Sequence, residues 1–351
     1  MALERSLTLF LANAKREKLP VELIYFVTSK CQLRCKGCFY WKNINGETSE
    51  LMLPEIKKLS KSLGDLYFLM ISGGEPFIRE DLPEILDIFI ENNHPAAISI
   101  PTNGLLKEAI LNQTQHVASS HKDVRFFISL PLDGFRETHD FLKGKEGMFD
   151  CSIETAQDLC RLRKKHPNIS VNIVTTVSNA NLREILPLFK FVKENLEVNK
   201  HNCHPVRGNV MDKNMRPPSG SEWMKLWRQL TPYKRFYLKK KQSRTYRFLF
   251  SWGSRKTAMI TAQSLDGKKW PFPCHAGQSV GVLEPDGGVR LCELTEIIGN
   301  ARDTDYDFKK VWFSRRAEEL RKKIGTKECT RGCTHGCFLN TSFMSNPLNL
   351  I

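Results

Sequence analysis

Between residues 22 and 206 one pattern of hydrophobic periodicity repeats, and it restricts the chain to few folds. Glu22 to Thr28 is a short β-rich run, and Leu53 to Leu63 carries helical spacing. Leu66 to Ile71 (LYFLMI) is a near-continuous apolar run, the pattern of a strand covered on both faces. Helices are then predicted over Glu80 to Glu91, Leu105 to Ala118, Phe149 to Lys164 and Leu182 to Glu194. Strands are predicted between and after them, at Ala96 to Thr102, Val124 to Leu130, Val171 to Val177 and Asn199 to Val206. Strands alternating with helices of this length mean βα units and a parallel sheet. Right-handed crossovers then allow an open doubly wound sheet or a full or partial barrel. Both place their chemistry at the C-terminal ends of the strands.

The pattern stops near Gly208, which suggests four parts: an N-terminal helix or extension over 1–19, the βα region over 20–208, a linking region over 209–270, and a cysteine-rich unit over 271–351. Within the third part, residues 209 to 222 (NVMDKNMRPPSGSE) have linker composition. Residues 234 to 256 carry nine Lys/Arg and no acid, interleaved with Tyr237, Tyr246, Phe248, Phe250 and Trp252. Such a segment suits a phosphate, a nucleic acid or a solvated face whose aromatics pack inward. The whole chain has 53 basic and 38 acidic residues, a balance of +15 that favours an anionic partner. No apolar run reaches the ~18–20 residues of a membrane-spanning helix. The one N-terminal apolar patch, Leu7 to Leu11, precedes Lys15, Arg16 and Lys18. A signal peptide has the reverse order, so a cytoplasmic location is expected.

Eleven cysteines, an odd number in a chain read as leaderless, argue against a disulfide framework. Cys31, Cys35 and Cys38 stand at C-x3-C-x2-C spacing directly after the first strand. Three thiolates on one loop can hold a four-iron cluster and leave one iron open to an outside ligand. An open position marks a reactive centre rather than a structural one. The alternative is a zinc site completed by a histidine, although the first histidine is the distant His94. After the second strand comes Ser72-Gly73-Gly74-Glu75-Pro76, whose glycines allow close backbone approach and whose carboxylate suits an ammonium group.

A cysteine triplet followed by an aromatic residue, with GGEP after the next strand, resembles the radical S-adenosylmethionine (SAM) superfamily. Further landmarks agree: Thr102-Asn-Gly104, Ser129 through Asp133-Gly134, His139, Gly147-Met-Phe149, Asn179 and Asn181, and His204-Pro-Val-Arg-Gly208. Pro131 and Leu132 depart from the more familiar Ser-Leu-Asp-Gly pattern by separating Ser129 from the Asp-Gly pair. The resemblance implies a partial (β/α)6 barrel, a TIM-like α/β fold. It implies a [4Fe–4S] cluster on Cys31, Cys35 and Cys38, with SAM as cofactor. SAM contacts are expected from Phe39, Tyr40, Gly73, Gly74, Glu75, Pro76, Asn103, Ser129 and Arg207. In the family, an electron from the cluster cleaves SAM to methionine and a 5′-deoxyadenosyl radical that abstracts hydrogen from substrate. Lys30, Arg34 and Lys36 surround the triplet and are placed either to tune its potential or to form a solvated basic loop.

Cys274, twelve residues, Gly287, four residues and Cys292 form a unit with strand character at Val280 to Leu283 and Val289 to Leu291. The Pro285-Asp-Gly-Gly288 turn between them predicts a hairpin that brings the flanking cysteines together. A helix-like stretch (Lys309 to Lys323) leads to Cys329, Cys333 and Cys337. This resembles the SPASM and shorter twitch extensions of radical SAM enzymes, and implies one auxiliary [4Fe–4S] cluster. Cys274, Cys292, Cys333 and Cys337 are the expected ligands, with Cys329 as substitute, and a zinc ribbon is the alternative. Cys151 and Cys160 are read as buried small hydrophobes, as is Cys203 beside His204. His139 and His335 are read as solvated or packing.

The expected function is a radical SAM oxidoreductase-type enzyme acting on an anionic small molecule, such as a phosphorylated or nucleotide-linked sugar or a lipid phosphate. Flavodoxin or ferredoxin is the expected electron donor. One rival is maturation of a ribosomally made peptide. The other is a non-catalytic zinc or iron–sulfur module that binds nucleic acid, which would need neither GGEP nor a βα barrel.

Overall fold

The computed structural model describes residues 19–238, 244–324, 326, 329 and 332–345. The N-terminal helix expected before residue 19 lies outside them.

The six predicted strands form as β1 (Glu22–Thr28), β2 (Phe68–Gly73), β3 (Ala97–Pro101), β4 (Arg125–Pro131), β5 (Ile169–Val177) and β6 (Lys200–Pro205). They pair in sequence order, each parallel to the next. Helices α1 (Leu53–Leu63), α2 (Leu82–Asn93), α3 (Lys107–Ser120), α4 (Arg136–Lys143), α5 (Met148–Lys165) and α6 (Ile185–Asn195) lie in the crossovers. The short α4 has no counterpart in the periodicity reading.

Two long helices follow, α7 (Gly220–Phe236) and α8 (Arg244–Leu265). The basic aromatic segment is therefore mostly helical, and α7 packs against β6 and α6. Gly220 at the start of α7 meets the far end of α8: a Cβ there would stand 2.4 Å from the Ala262 carbonyl oxygen. The pair is thus antiparallel and in close contact at that end.

The predicted hairpin is present as β7 (Val280–Leu283) and β8 (Gly288–Arg290), joined by β9 (Ile297–Asn300), which periodicity did not indicate. β7 pairs parallel with the free edge of β1, from Glu22↔Val280 to Tyr25↔Leu283. One nine-stranded sheet results, ordered β6-β5-β4-β3-β2-β1-β7-β8-β9. Gly287 has a φ of 90° in the turn, a conformation that favours glycine. Among the described residues α9 (Phe308–Trp312), α10 (Arg315–Lys323) and α11 (Gly336–Met344) follow.

β1 is buried on both faces, as an interior strand covered on both sides must be. Leu23, Tyr25 and Val27 belong to the core shared with α1 and α2. Ile24 and Phe26 face the other way, into a cluster with Cys274, Phe338, Leu339 and Phe343. The cysteine-rich unit therefore packs on the inner face of the sheet, and Thr341 of α11 donates a 2.6 Å hydrogen bond to Glu22. No helix among the described residues is long and apolar enough to cross a membrane.

Candidate active site

Cys31, Cys35 and Cys38 lie on the loop leaving β1, at the C-terminal end of the sheet. Asn45 fixes the backbone of Cys31: its Oδ1 accepts from the Cys31 N–H at 2.9 Å, and its Nδ2 donates to the Cys31 carbonyl at 2.9 Å. Asn45 has a φ of 57°, which asparagine tolerates better than most residues. The Asn45-Gly46 dipeptide was the available turn signal, and the sequence reading missed it.

The GGEP turn is bonded directly to this loop. The Gly74 N–H donates to the Thr28 carbonyl and the Glu75 N–H to the Lys30 carbonyl, both at 2.8 Å. A Cβ on Gly73 would lie 2.3 Å from the Thr28 oxygen, and one on Gly74 2.0 Å from the Lys30 oxygen. The close approach these glycines permit is thus to the cysteine loop itself. Glu75 is buried, and its carboxylate already accepts from the Phe77 N–H, the Thr102 hydroxyl and the Asn103 N–H. Burial pushes its pKa up to about 7, against the pull of those three donors. Asn103 also reaches toward the cysteine loop, donating to Gln32 at 3.1 Å. Ser129, in β4, accepts from the Thr102 N–H through its carbonyl. The ends of β1, β2, β3 and β4 are stitched together by this set.

The charge beside the thiols comes from a residue the sequence reading missed. Lys143, at the end of α4, is buried and pairs with Asp133 at 2.6 Å. The Lys36 N–H donates to the Leu142 carbonyl, which presses the end of α4 onto the cysteine loop. Burial raises the pKa of Cys35 and pushes Cys38 up to about 12, while Lys143 pulls both down. Asp133 is held low by Lys143 and by a 2.6 Å bond from the Thr176 N–H, despite its burial. A lysine at the end of a short polar helix reads as solvated, so periodicity offered no signal for this burial. Lys30 and Arg34 are exposed, and Lys36 lies over the Phe141 ring with Asp212 at 3.9 Å. His139 is buried, accepts from the Asp133 N–H at 2.9 Å, and has its pKa pushed down to about 4 by burial.

Tyr40 stacks on Phe26, with ring centroids 4.7 Å apart, and donates to Glu284 at the end of β7. It therefore ties the cysteine loop to the C-terminal unit. The guanidinium of Arg207 lies 5.1 Å from the Phe39 ring centroid.

Cys274, Cys292 and Cys333 are close enough to influence one another's charge. Cys274 feels the charges of Cys333 and Cys329, Cys292 those of Cys274 and Cys333, and Cys333 that of Cys329. Burial is the largest influence on all three, and pushes Cys274 up to about 11. Cys337 lies in the same apolar cluster, its sulfur 4.0 Å from that of Met70 on β2. Among the described residues no three His, Cys, Asp or Glu side chains are gathered tightly enough for one metal ion. A cubane makes a different demand, since each thiolate binds its own iron. Cys203 faces α7, in a cluster with Trp223 and Leu226. Cys160 is in the core, and the Cys151 thiol donates to the Gly104 carbonyl.

A buried chain of polar side chains joins the two groups. His335, between Cys333 and Cys337, makes a short hydrogen bond to Glu293, the neighbour of Cys292, and Arg207 reaches Glu293 at 3.3 Å. Burial pushes the His335 pKa down, while His335 and then Arg207 hold Glu293 low against its own burial. His335 Nδ1 and Arg207 Nε are buried with no partner, so both retain bonding capacity beside the thiols. His204, on β6, has its pKa pushed down to about 4, first by burial and then by the cation of Arg207.

Comparison with known proteins agrees with this geometry. Residues 25–192 match the radical SAM superfamily. The Fe-coproporphyrin III synthase of Methanosarcina barkeri (strain Fusaro / DSM 804) is 31% identical over 188 residues, 52% of this chain and 43% of that protein. The AdoMet-dependent heme synthase of the same organism is 25% identical over 333 residues, 88% of each chain. Streptococcus suis SuiB bound to S-adenosylmethionine superposes with a TM-score of 0.64 at 16% identity, covering 92% of this chain and 74% of SuiB. SuiB bound to its precursor peptide SuiA gives a TM-score of 0.63 at 15% identity, over 96% and 75%. At that identity the likeness shows the fold alone. Residues 25–192, with the βα sheet and the cysteine loop at its mouth, thus form a radical SAM domain.

Proposed function

We propose that the protein binds SAM at a [4Fe–4S] cluster held by Cys31, Cys35 and Cys38, and acts on an anionic substrate beside an auxiliary [4Fe–4S] cluster. The observation that carries this reading is the arrangement of two thiol groups across one barrel mouth, bridged by Arg207, Glu293 and His335. Cys31, Cys35 and Cys38 would hold the cluster, which when bound would supply the electron for reductive cleavage of SAM.

The chain's own residues position and charge the site. Gly73, Gly74 and Glu75 fix the shape of the cysteine loop. Lys143 supplies a buried positive charge that favours the thiolates and offers an anchor for a carboxylate. Asn103, Ser129 and Pro76 line the strand ends on which the cofactor rests, and Phe39 and Arg207 close the side toward the second thiol group. Cys274, Cys292 and Cys333 hold the auxiliary cluster, with Cys337, or Cys329 in its place, as the fourth ligand. Arg207 offers substrate an anion-binding group. A small flavodoxin- or ferredoxin-like protein is the suitable reductant.

A second reading makes the substrate a peptide. It is supported by the likeness to the mycofactocin maturase MftC of Mycolicibacterium smegmatis (strain ATCC 700084 / mc(2)155), 25% identical over 325 residues, 88% of this chain and 74% of that protein.

Iron and acid-labile sulfide measure the two-cluster reading. Reconstituted protein should hold about eight irons and Cys292→Ala about four, with SAM cleavage retained in the variant. Unchanged iron in Cys292→Ala would remove the auxiliary cluster.

A further inference from the structure

A groove of about 850 Å³ runs between α7 and α8 and shares no lining residue with the cysteine sites. Its walls carry four cations, Arg228, Lys234 and Arg235 from α7 and Arg255 from α8. The acid in its lining is Asp266, which already accepts from the Gly220 N–H at 2.9 Å. Apolar groups alternate with the cations, and some are unusually open to solvent for a folded protein. Phe248 is 68% exposed and Met259 40%.

Length and pattern identify what fits. On α7 the lining runs from Gly220 to Arg235, about 23 Å at 1.5 Å per residue, and it continues to Leu238 just past the helix end. An extended polypeptide covers the whole run in about eight residues. A ligand with one charged head and one apolar tail would leave half of an interleaved groove mismatched. A single-stranded nucleic acid needs a row of open stacking faces. Here the Trp227 indole is bonded to Ser254 at 3.4 Å, and Lys256 and Phe343 both pack on Trp252. An extended chain alternating acidic and apolar side chains satisfies both the cations and the apolar walls.

The chain that enters the groove's Gly220 end, residues 209–219, runs back along the cysteine loop. There the Asp212 N–H bonds the Lys36 carbonyl at 2.9 Å, and the Met215 side chain lies against Gly37 between the cluster cysteines.

We infer that the α7–α8 groove binds an acidic peptide segment of about eight residues belonging to the substrate, and so holds a peptide substrate at the barrel mouth. This rests on the peptide reading given above.

The test uses the full-length, cluster-loaded protein and a fluorescein-labelled octapeptide of alternating Glu and Leu, followed by fluorescence anisotropy. The peptide should bind, should bind more weakly as salt rises, and should lose at least tenfold in affinity in the Arg235→Glu/Arg255→Glu variant. Phe248→Ala should also weaken it. Both variants should keep wild-type iron content and SAM cleavage, so a folding defect would be visible. Absence of binding, or equal binding by the charge-reversed variant, overturns the inference. Tighter binding of a labelled octauridylate, or of phosphatidylserine vesicles, overturns it in favour of those partners. Groove and peptide-substrate reading can fail separately. Octapeptide binding without any peptide that accelerates SAM cleavage leaves the groove standing and removes the peptide-substrate reading. Undiminished turnover of a peptide substrate by the charge-reversed variant does the reverse.

Discussion

Replacing Lys143 with methionine tests whether the buried pair beneath the cysteine loop is set by charge. Lys143 and Asp133 are 2.6 Å apart, with side chains only 10% and 8% exposed. Methionine keeps the length of the chain but leaves Asp133 ionised and buried. Its remaining partner on the carboxylate is the Thr176 N–H on Oδ1. Removing one member of a buried pair costs about 3–5 kcal/mol, because the other charge is left uncompensated. The measurement is guanidinium unfolding of the metal-free protein followed by circular dichroism, so that cluster loss does not enter. The double variant Asp133→Asn/Lys143→Met removes both charges and should recover most of the loss. The pH dependence has a definite sign. Asp133 is depressed and Lys143 raised relative to their ordinary values. The contribution of Asp133 is present above the ordinary carboxylate range and fades only as pH falls through its lowered value. That of Lys143 is present below the ordinary lysine value and fades only as pH rises through its raised one. The contribution of the pair in the wild type should therefore be flat from about pH 5 to about pH 9, while Lys143→Met should lose stability as pH rises and the buried Asp133 gives up its proton without its cation. A loss below about 1 kcal/mol, or a double variant no more stable than the single, would refute the reasoning.

Two further substitutions probe the GGEP turn. Gly74→Ala places a methyl group 2.0 Å from the Lys30 carbonyl oxygen, so the cysteine loop must move. Iron bound at the SAM cluster should fall to background while far-UV circular dichroism stays near wild type, and full iron loading would contradict the assignment. Glu75 has its pKa pushed up to about 7 by burial, so the folded state holds its proton more tightly than the unfolded state. Metal-free protein should then lose roughly 3 kcal/mol of stability as pH rises from about 4.5 to about 7. That slope should shrink in Glu75→Gln, and equal slopes in the two proteins would rule out Glu75 as its source.

The barrel was legible because each of its strands and helices carries its own period. The predicted Leu53 to Leu63 helix forms with those bounds, and the predicted Val124 to Leu130 strand is displaced by one residue. The cysteine loop was legible because three thiols at fixed spacing follow a strand. What escaped depends on contacts distant in sequence. Pairing of β7 with the free edge of β1 joins residues some 250 positions apart, and no local pattern encodes it. α7 and α8 were obscured by Pro232, Gly253 and a run of nine basic residues, which read as linker and solvated segment. Lys143 and His335 look like surface residues, and only the packing of α4 and the hairpin buries them.

The central claim is tested most directly by 5′-deoxyadenosine formation. Anaerobically reconstituted protein would be given SAM and a strong reductant, beside Cys35→Ala. The account predicts 5′-deoxyadenosine from the wild type and none from the variant. Equal formation by Cys35→Ala, or a preparation that takes up zinc in place of iron and sulfide, would contradict it.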